Sequence, residues 1–321
     1  MDFITRRIIT SLVVFFAAIN LDFILPRFIP GNVADAFVSK PISGNEYQLI
    51  VHRLGLDLPP QLQYVHFLEG IFTNLPPFFG YSYQYFPQEV SALILSRIGW
   101  TLLLLVSSLV IAIAISFVVG ALASMKRGGK LEYSSMYVSV LAWSTPAFFL
   151  GLALIWIFGV TFKVLPQFGT VSDNIVGLGP YVSSVIQHAI LPVATMTSVI
   201  YGQSFLILRG STIQVLGSDY ITAARARGLR ERTIAFKYVL RNSLLPLVSL
   251  SGYAVAYIIS ILVAVEFVFA YGGIGDLMVD GIIFRDYPVI EGCFFYITLI
   301  VIILAFIGDL ALLKLDPTLR K

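Results

Sequence analysis

The run TLLLLVSSLVIAIAISFVVG, residues 101–120, carries no charged side chain and nothing more polar than a hydroxyl. At 1.5 Å of rise per residue it forms a helix about 30 Å long, the thickness of a bilayer's hydrocarbon core. Outward from it, the same reading finds six such segments: Ile8–Ile29, Ile98–Met125, Tyr133–Val164, Val182–Leu208, Leu244–Phe269 and Cys293–Leu313. The third exceeds one span, so tilt or an interfacial overhang is expected. The fourth contains Gln187, His188, Pro192 and Gln203 and is the least lipid-like. Pro146, Pro192 and Pro246 predict kinks.

Composition agrees. Of 321 residues, 58% are hydrophobic and 12% charged, against about 25% charged in soluble domains. Mean hydropathy is +0.88 for a 35.4 kDa chain. Too few charges remain to coat a soluble protein, which excludes a soluble enzyme, a disordered chain and a nucleic-acid binder. The pI near 8.9 does not restore nucleic acid as a partner, because membrane proteins gather Lys and Arg on one side. The lone Cys293 excludes a disulfide within the chain and a cysteine-based zinc site.

Six spans put both termini on one face, and the basic residues choose which. One face holds fifteen, including Arg6, Arg7, Lys126, Arg127, Lys130, Arg209 and the cluster from Arg225 to Arg241; the other holds six, namely Arg27, Lys40, Arg53, Arg97, Lys163 and Arg285. The termini are therefore expected in the cytoplasm. Arg6-Arg7 before an apolar run imitates a secretory signal, but the run is too long and no small-residue cleavage site follows. The pair reads as a cytoplasmic charge anchor.

Three regions follow: an N-terminal span, 1–29; an extracellular cap, 30–97; and a five-span core, 98–321, with a cytoplasmic loop at 209–243. In the cap, His52 to Leu56 reads as a helix ending at Gly55, and Gln61–Ile71 as another, introduced by Pro59-Pro60. Phe78, Phe79, Tyr81, Tyr83, Tyr85 and Phe86 crowd the segment after it. They form either an interfacial belt on a compact cap or a contact surface for a partner or sugar. In the cytoplasmic loop, Ser218 is placed to cap a short helix through Arg227, stopped by Gly228. A second helix runs from Arg230 into the fifth span and is interrupted at Pro246.

The sequence Gly217-Ser218-Asp219-Tyr220-Ile221-Thr222-Ala223-Ala224-Arg225-Ala226-Arg227-Gly228-Leu229, followed by Leu240-Arg241-Asn242-Ser243-Leu244-Leu245-Pro246, resembles the cytoplasmic signature of ABC-importer permeases. The form is that of the first permease of dipeptide/oligopeptide systems. The resemblance covers nearly the whole chain: Ile29-Pro30-Gly31, Leu54-Gly55-Leu56-Asp57 with Gln63-Tyr64, Glu266-Phe267-Val268-Phe269 before Gly272-Gly273-Ile274-Gly275, Arg285-Asp286-Tyr287-Pro288-Val289 and Asp316-Pro317 all fit in order. Thr222 replaces the superfamily's glutamate, as is usual in the peptide branch. Tyr238 stands where a histidine is usual, and Asn32-Val33 replaces an Asp-Pro.

The resemblance implies an all-α integral membrane protein with the six-helix type I importer fold. Its signature helix would dock in a groove on an ATP-hydrolysing subunit, with Asp219, Tyr220, Ala223, Ala224, Arg227 and Gly228 as contacts. Implied partners are a second homologous permease, two ATP-binding subunits, an extracellular solute-binding protein and the lipid bilayer. ATP and Mg would sit on the partners. Peptides are the implied cargo, with cellobiose-like oligosaccharides as the alternative carried by some relatives.

No ATPase or hydrolase motif occurs in this chain: Gly128-Gly129-Lys130 is followed by Leu131 and lacks the earlier glycine of a P-loop. Ionisable groups inside spans are costly and often functional. Asp22 sits five residues from Arg27 and is placed to pair with it or reach the interface; Asp309 lies near the inner boundary. Glu266 either lines a pathway or makes an interhelical bond, and His188 reads as a hydrogen-bonded packing residue. An intramembrane enzyme would need paired catalytic groups that are not evident here. An ion-driven transporter would favour inverted repeats and an ion-ligand cluster, and neither is evident in the sequence.

Overall fold

The computed structural model describes residues 3–28, 48, 52, 57–125, 128–249 and 251–315. Among them the architecture is helical, with one isolated antiparallel bridge between Tyr81 and Glu89. Four helices are long and apolar enough to cross a membrane, at Ile4–Phe28, Val90–Gly120, Leu178–Leu216 and Tyr287–Leu315. A bent pair, Lys130–Ser144 with Ala147–Thr161, makes a possible fifth.

We number the main helices α1 (Phe3–Ile24), α2 (Pro60–Thr73), α3 (Val90–Met125), α4 (Lys130–Ser144), α5 (Ala147–Leu154), α6 (Leu178–Leu216), α7 (Asp219–Ala226), α8 (Arg241–Ser249), α9 (Ser251–Val268), α10 (Ile274–Phe284) and α11 (Tyr287–Leu315). The third expected span departs most from expectation. Instead of tilting, it breaks at Thr145-Pro146 and turns through 105°. Proline lacks the N–H that would continue α4, and the residue before it disfavours helical geometry, so α4 stops and α5 starts afresh. The helix then widens into a π-helical turn at Ile155–Thr161. Pro192, in contrast, lies inside the unbroken α6. The fifth expected span is described as α8, which includes Pro246, and α9, on either side of residue 250. The expected interruption at Pro246 is absent, since helix continues past it to Ser249.

The chain divides into two compact units. One comprises Met1–Thr5, Leu102–Tyr271 and Ile303–Lys321, and the other Arg6–Thr101 and Gly272–Ile302. In the first, α6 is the central element. Glycines let neighbours approach it closely: a Cβ on Gly202 would lie 2.7 Å from the Ser139 carbonyl oxygen and 3.0 Å from the Trp143 nitrogen of α4. A Cβ on Gly120 of α3 would meet Leu208 Cδ2 at 2.6 Å.

The second unit is cored by aromatics. Phe79 packs on Phe67, Phe295 and Tyr296 with ring centroids 6.4, 5.3 and 6.2 Å apart. Helix α2 starts one residue before the expected Gln61, with Pro60 in its first turn. The stretch Arg285-Asp286-Tyr287 is a joint. Arg285 adopts φ 55° and ends α10. Asp286 then receives the Ser82 hydroxyl at 2.5 Å, the Gln84 N–H at 3.1 Å and the Val289 N–H at 3.4 Å. Burial pushes the Asp286 carboxyl above its usual range, while these hydrogen bonds pull it back down. Of the expected helix ending at Gly55 only His52 is described; residues 53–56, Ile29-Pro30-Gly31 and Asp316-Pro317 lie outside the described residues.

Candidate functional site

The signature loop folds as a helical hairpin in the first unit. Helix α7 begins after Ser218, whose backbone is extended at φ −81° and ψ 149°. The expected side-chain cap is not formed. The Ser218 hydroxyl instead donates to the Val215 carbonyl at 2.5 Å, closing the turn from α6. The helix ends one residue short of Arg227, and its stop is chemically specific. Gly228 has φ +74°, its N–H donates to Arg225 O at 2.9 Å, and Leu229 N–H reaches back to Ala224 O at 3.4 Å. Those two bonds with a left-handed residue between them are a Schellman stop. Leu229 completes it by packing on a small core of Ile221, Ala224, Ile234 and Val239.

That core decides which side of α7 is free. Ile221 and Ala224 are 0% and 4% exposed. Asp219, Tyr220, Ala223 and Arg227 are exposed and follow the helical period along one face, with Gly228 exposed beyond its end. Ala224 was expected on the contact face; the structure turns it inward, because the i, i+3 spacing from Ile221 puts both on the core side. Tyr220 is tethered: Asn242 Nδ2 donates to its hydroxyl oxygen at 3.1 Å and to the Tyr238 carbonyl at 2.9 Å. Sequence reasoning did not single out Asn242, although it sits inside the quoted Leu240–Pro246 motif. Between α7 and α8 the chain passes through Glu231–Thr233 and a π-helical stretch, Ile234–Leu240, and Arg225 pairs with Glu231 at 2.9 Å on the surface. A surface pair of that kind adds little stability.

Just before the hairpin, α6 carries Arg209. Its Nε donates to Glu132 Oε1 at 2.9 Å, with Nη2 at 2.8 Å from the same oxygen. Glu132 Oε2 accepts the Gly128 N–H at 2.8 Å. Neither Arg209 nor Glu132 was flagged as a site residue. The only sequence signal was an isolated acid beside Gly128-Gly129-Lys130.

The structure separates the polar residues expected within spans. His188 is buried, with Nδ1 2.8 Å from the Ser184 carbonyl oxygen. Glu266 is fully buried in the first unit. Asp22 was expected to pair with Arg27 or reach the interface; it is 4% exposed and does not pair with Arg27. Arg27 instead binds Glu291 at 2.5 Å, donates to the Phe23 carbonyl and to Gln63 Oε1 at 3.3 Å, and lies over the Phe23 ring. Five residues along a helix is past the i, i+4 reach, and Glu291 offers the better geometry. Glu291 was missed because the sixth span was started at Cys293. Among the described residues no group of His, Cys, Asp and Glu is arranged to hold a metal.

Several apolar helices of membrane length, with a short polar hairpin that keeps one face exposed, define a multi-pass membrane component. The chain belongs to the family described as binding-protein-dependent transport system inner membrane component, whose model matches residues 112–321. The N-terminal model of the same system matches residues 1–107. The chain is 33% identical over 321 residues to a protein of Brucella suis biovar 1 described as a peptide permease, covering 98% of each. It is 30% identical to the oligopeptide transport system permease protein AppB of Bacillus subtilis, covering 99% of each. It is 29% identical to the glutathione transport system permease protein GsiC of Escherichia coli K12, covering all of this chain and 99% of that one. It is therefore a transport component.

Proposed function

We propose that this chain is one permease subunit of an ATP-driven importer of di- and oligopeptides. It forms half of a pathway completed by a second homologous permease. Two ATP-binding subunits supply the energy, with ATP and Mg held there, and an external solute-binding protein delivers the cargo. In this reading six spans cross the plasma membrane with both termini in the cytoplasm, as the fifteen-to-six division of basic residues favours. Helix α7 is the coupling helix. Its outward face of Asp219, Tyr220, Ala223 and Arg227 seats in a groove of an ATP-binding subunit, and Gly228 fixes where it ends.

The observation that carries the reading is the Schellman-stopped α7 with its exposed face, held by Asn242 on a core of its own. Peptide cargo rests on the relatives named for peptide, oligopeptide and glutathione transport. The sugar alternative leaned on the aromatic cap, and two of those rings, Phe79 and Tyr83, are only 7% and 5% exposed. Phe79 is packed on Phe67, Phe295 and Tyr296, which accounts for it as a core residue. The test is a binding screen of the cognate solute-binding protein against di-, tri- and oligopeptides and against cellobiose-type sugars. Peptide binding is expected; tight sugar binding without peptide binding overturns the cargo assignment.

A further inference from the structure

We propose that Glu132 and Arg209 form an internal clamp that makes α4 and α6 move as one body with the coupling helix; the proposal rests on the coupling reading of α7. Only Gly217 and Ser218 separate the end of α6 from α7. A push on α7 therefore arrives first at the last turns of α6. What α6 does with it depends on what grips it there.

Two contacts grip it and a third braces the carboxylate they depend on, all within the first unit. Arg209, two turns before the end of α6, binds Glu132 in the first turn of α4 through Nε and Nη2 at 2.9 and 2.8 Å. Glu132 spends its second oxygen on the Gly128 N–H at 2.8 Å, so the turn leading into α4 is tied to the same carboxylate. Two turns further back, Gly202 brings the α6 backbone against the α4 backbone at Ser139 and Trp143, where no side chain fits. An ion pair at one level and backbone contact at another resist sliding and rotation together. Glu132 is 7% exposed. A carboxylate buried to that degree is costly without its cation, so the pair is held shut as α6 moves. Arg209 is a positioning residue, since it touches neither cargo nor nucleotide in this assignment.

A clamp of this kind makes a prediction that a merely stabilising pair does not. Loosening it leaves the complex assembled and hydrolysing ATP, while the stroke at α7 no longer carries α4. The experiment uses the full transporter in proteoliposomes with its binding protein, scoring a radiolabelled pool of di- and tripeptides from a casein digest taken up per ATP hydrolysed. Glu132→Gln and Arg209→Gln are expected to lower that ratio roughly tenfold, the size of an ordinary lost coupling. The exchange Glu132→Arg with Arg209→Glu is expected to recover most of it. Arg209→Lys keeps the charge but loses the fork, and should fall between. If the glutamine variants do not assemble, Arg209→Lys decides: a reduced ratio supports the clamp and a wild-type ratio overturns it. Wild-type ratios in assembled glutamine variants, or no recovery in an assembled exchange variant, overturn it as well. Gly228→Val, run alongside, separates the two failures. If it uncouples while the clamp variants do not, the clamp alone is wrong; if it transports normally, the coupling reading has failed.

Discussion

Gly228 offers the most informative perturbation because its environment isolates one physical cause. It ends α7 at φ +74°, and a Cβ built there meets nothing within 4 Å. Substitution is therefore not a clash. Its effect is the cost of holding an L-residue in left-handed backbone, about 1–2 kcal/mol. That strain is relieved if Gly228 leaves the conformation, which breaks its bond to Arg225 O and the Leu229 bond to Ala224 O. The end of α7 then shifts off its core. A penalty of this size changes the population of the correctly built stop by roughly 5- to 30-fold. Within a series, the ranking follows backbone tolerance: Gly228→Asn is mild, Gly228→Ala intermediate and Gly228→Val worst, because β-branching is least compatible with positive φ. The assay is peptide uptake and ATP hydrolysis measured together in proteoliposomes, with co-purification of the ATP-binding subunits as the assembly control. We expect uptake per ATP to fall in the order Asn, Ala, Val while the chain stays inserted. A Val variant with a wild-type ratio refutes the reasoning. So does equal loss in all three, since that would signal a steric contact in place of backbone strain.

Two further predictions concern stability. Gly202→Ala places a methyl against backbone atoms of Ser139 and Trp143 that cannot swing aside, so overpacking of about 1–3 kcal/mol should lower the melting temperature of the detergent-solubilised complex. Gly210→Ala on the same helix has open space and should raise that temperature, through a gain of about 1 kcal/mol in helix propensity; equal melting of the two variants would discard the close-packing account. The Asp286 carboxyl is raised above 3.8 by burial, against the pull of its hydrogen bonds. A raised acid contributes stability that is complete below its unfolded value and fades as pH climbs through the folded one. Proteolysis of the cap should accordingly slow as pH falls towards the ordinary carboxylate range, and Asp286→Asn should flatten that slope; an unchanged slope would remove Asp286 as its source.

The parts of the fold that were legible in sequence are those written by local chemistry. The run at 101–120 needs no partner to be a membrane-length helix, and it lies within α3. The stop at Gly228 follows from the intolerance of other residues for positive φ, and Pro60 marks the start of α2. The exposed face of α7 was only partly legible: Asp219, Tyr220, Ala223 and Arg227 lie outward, whereas Ala224 turns in. The inner side is fixed by Ile221 meeting Ile234 and Val239, a tertiary fact that lies beyond the helical period. The same limit explains Ser218, a sound cap by residue type whose hydroxyl is claimed by Val215.

The least legible residues were the partners of charges. Arg27 had a visible acid five residues away and chose one 264 positions distant. Arg209 chose one 77 positions earlier. In a chain where only 12% of residues are charged, a buried group that stays charged needs a counterpart across the fold or a set of hydrogen-bond donors like that around Asp286, because desolvation without either is too costly. Scarcity thus makes these long-range pairs selective about helix placement in a way that interchangeable apolar contacts are not. It is also why the Glu132–Arg209 pair, lying between α4 and the segment that leads into α7, is a better candidate for transmitting motion than the apolar packing around it. Apolar side chains can slide past one another at small cost, and this ion pair can only hold or break.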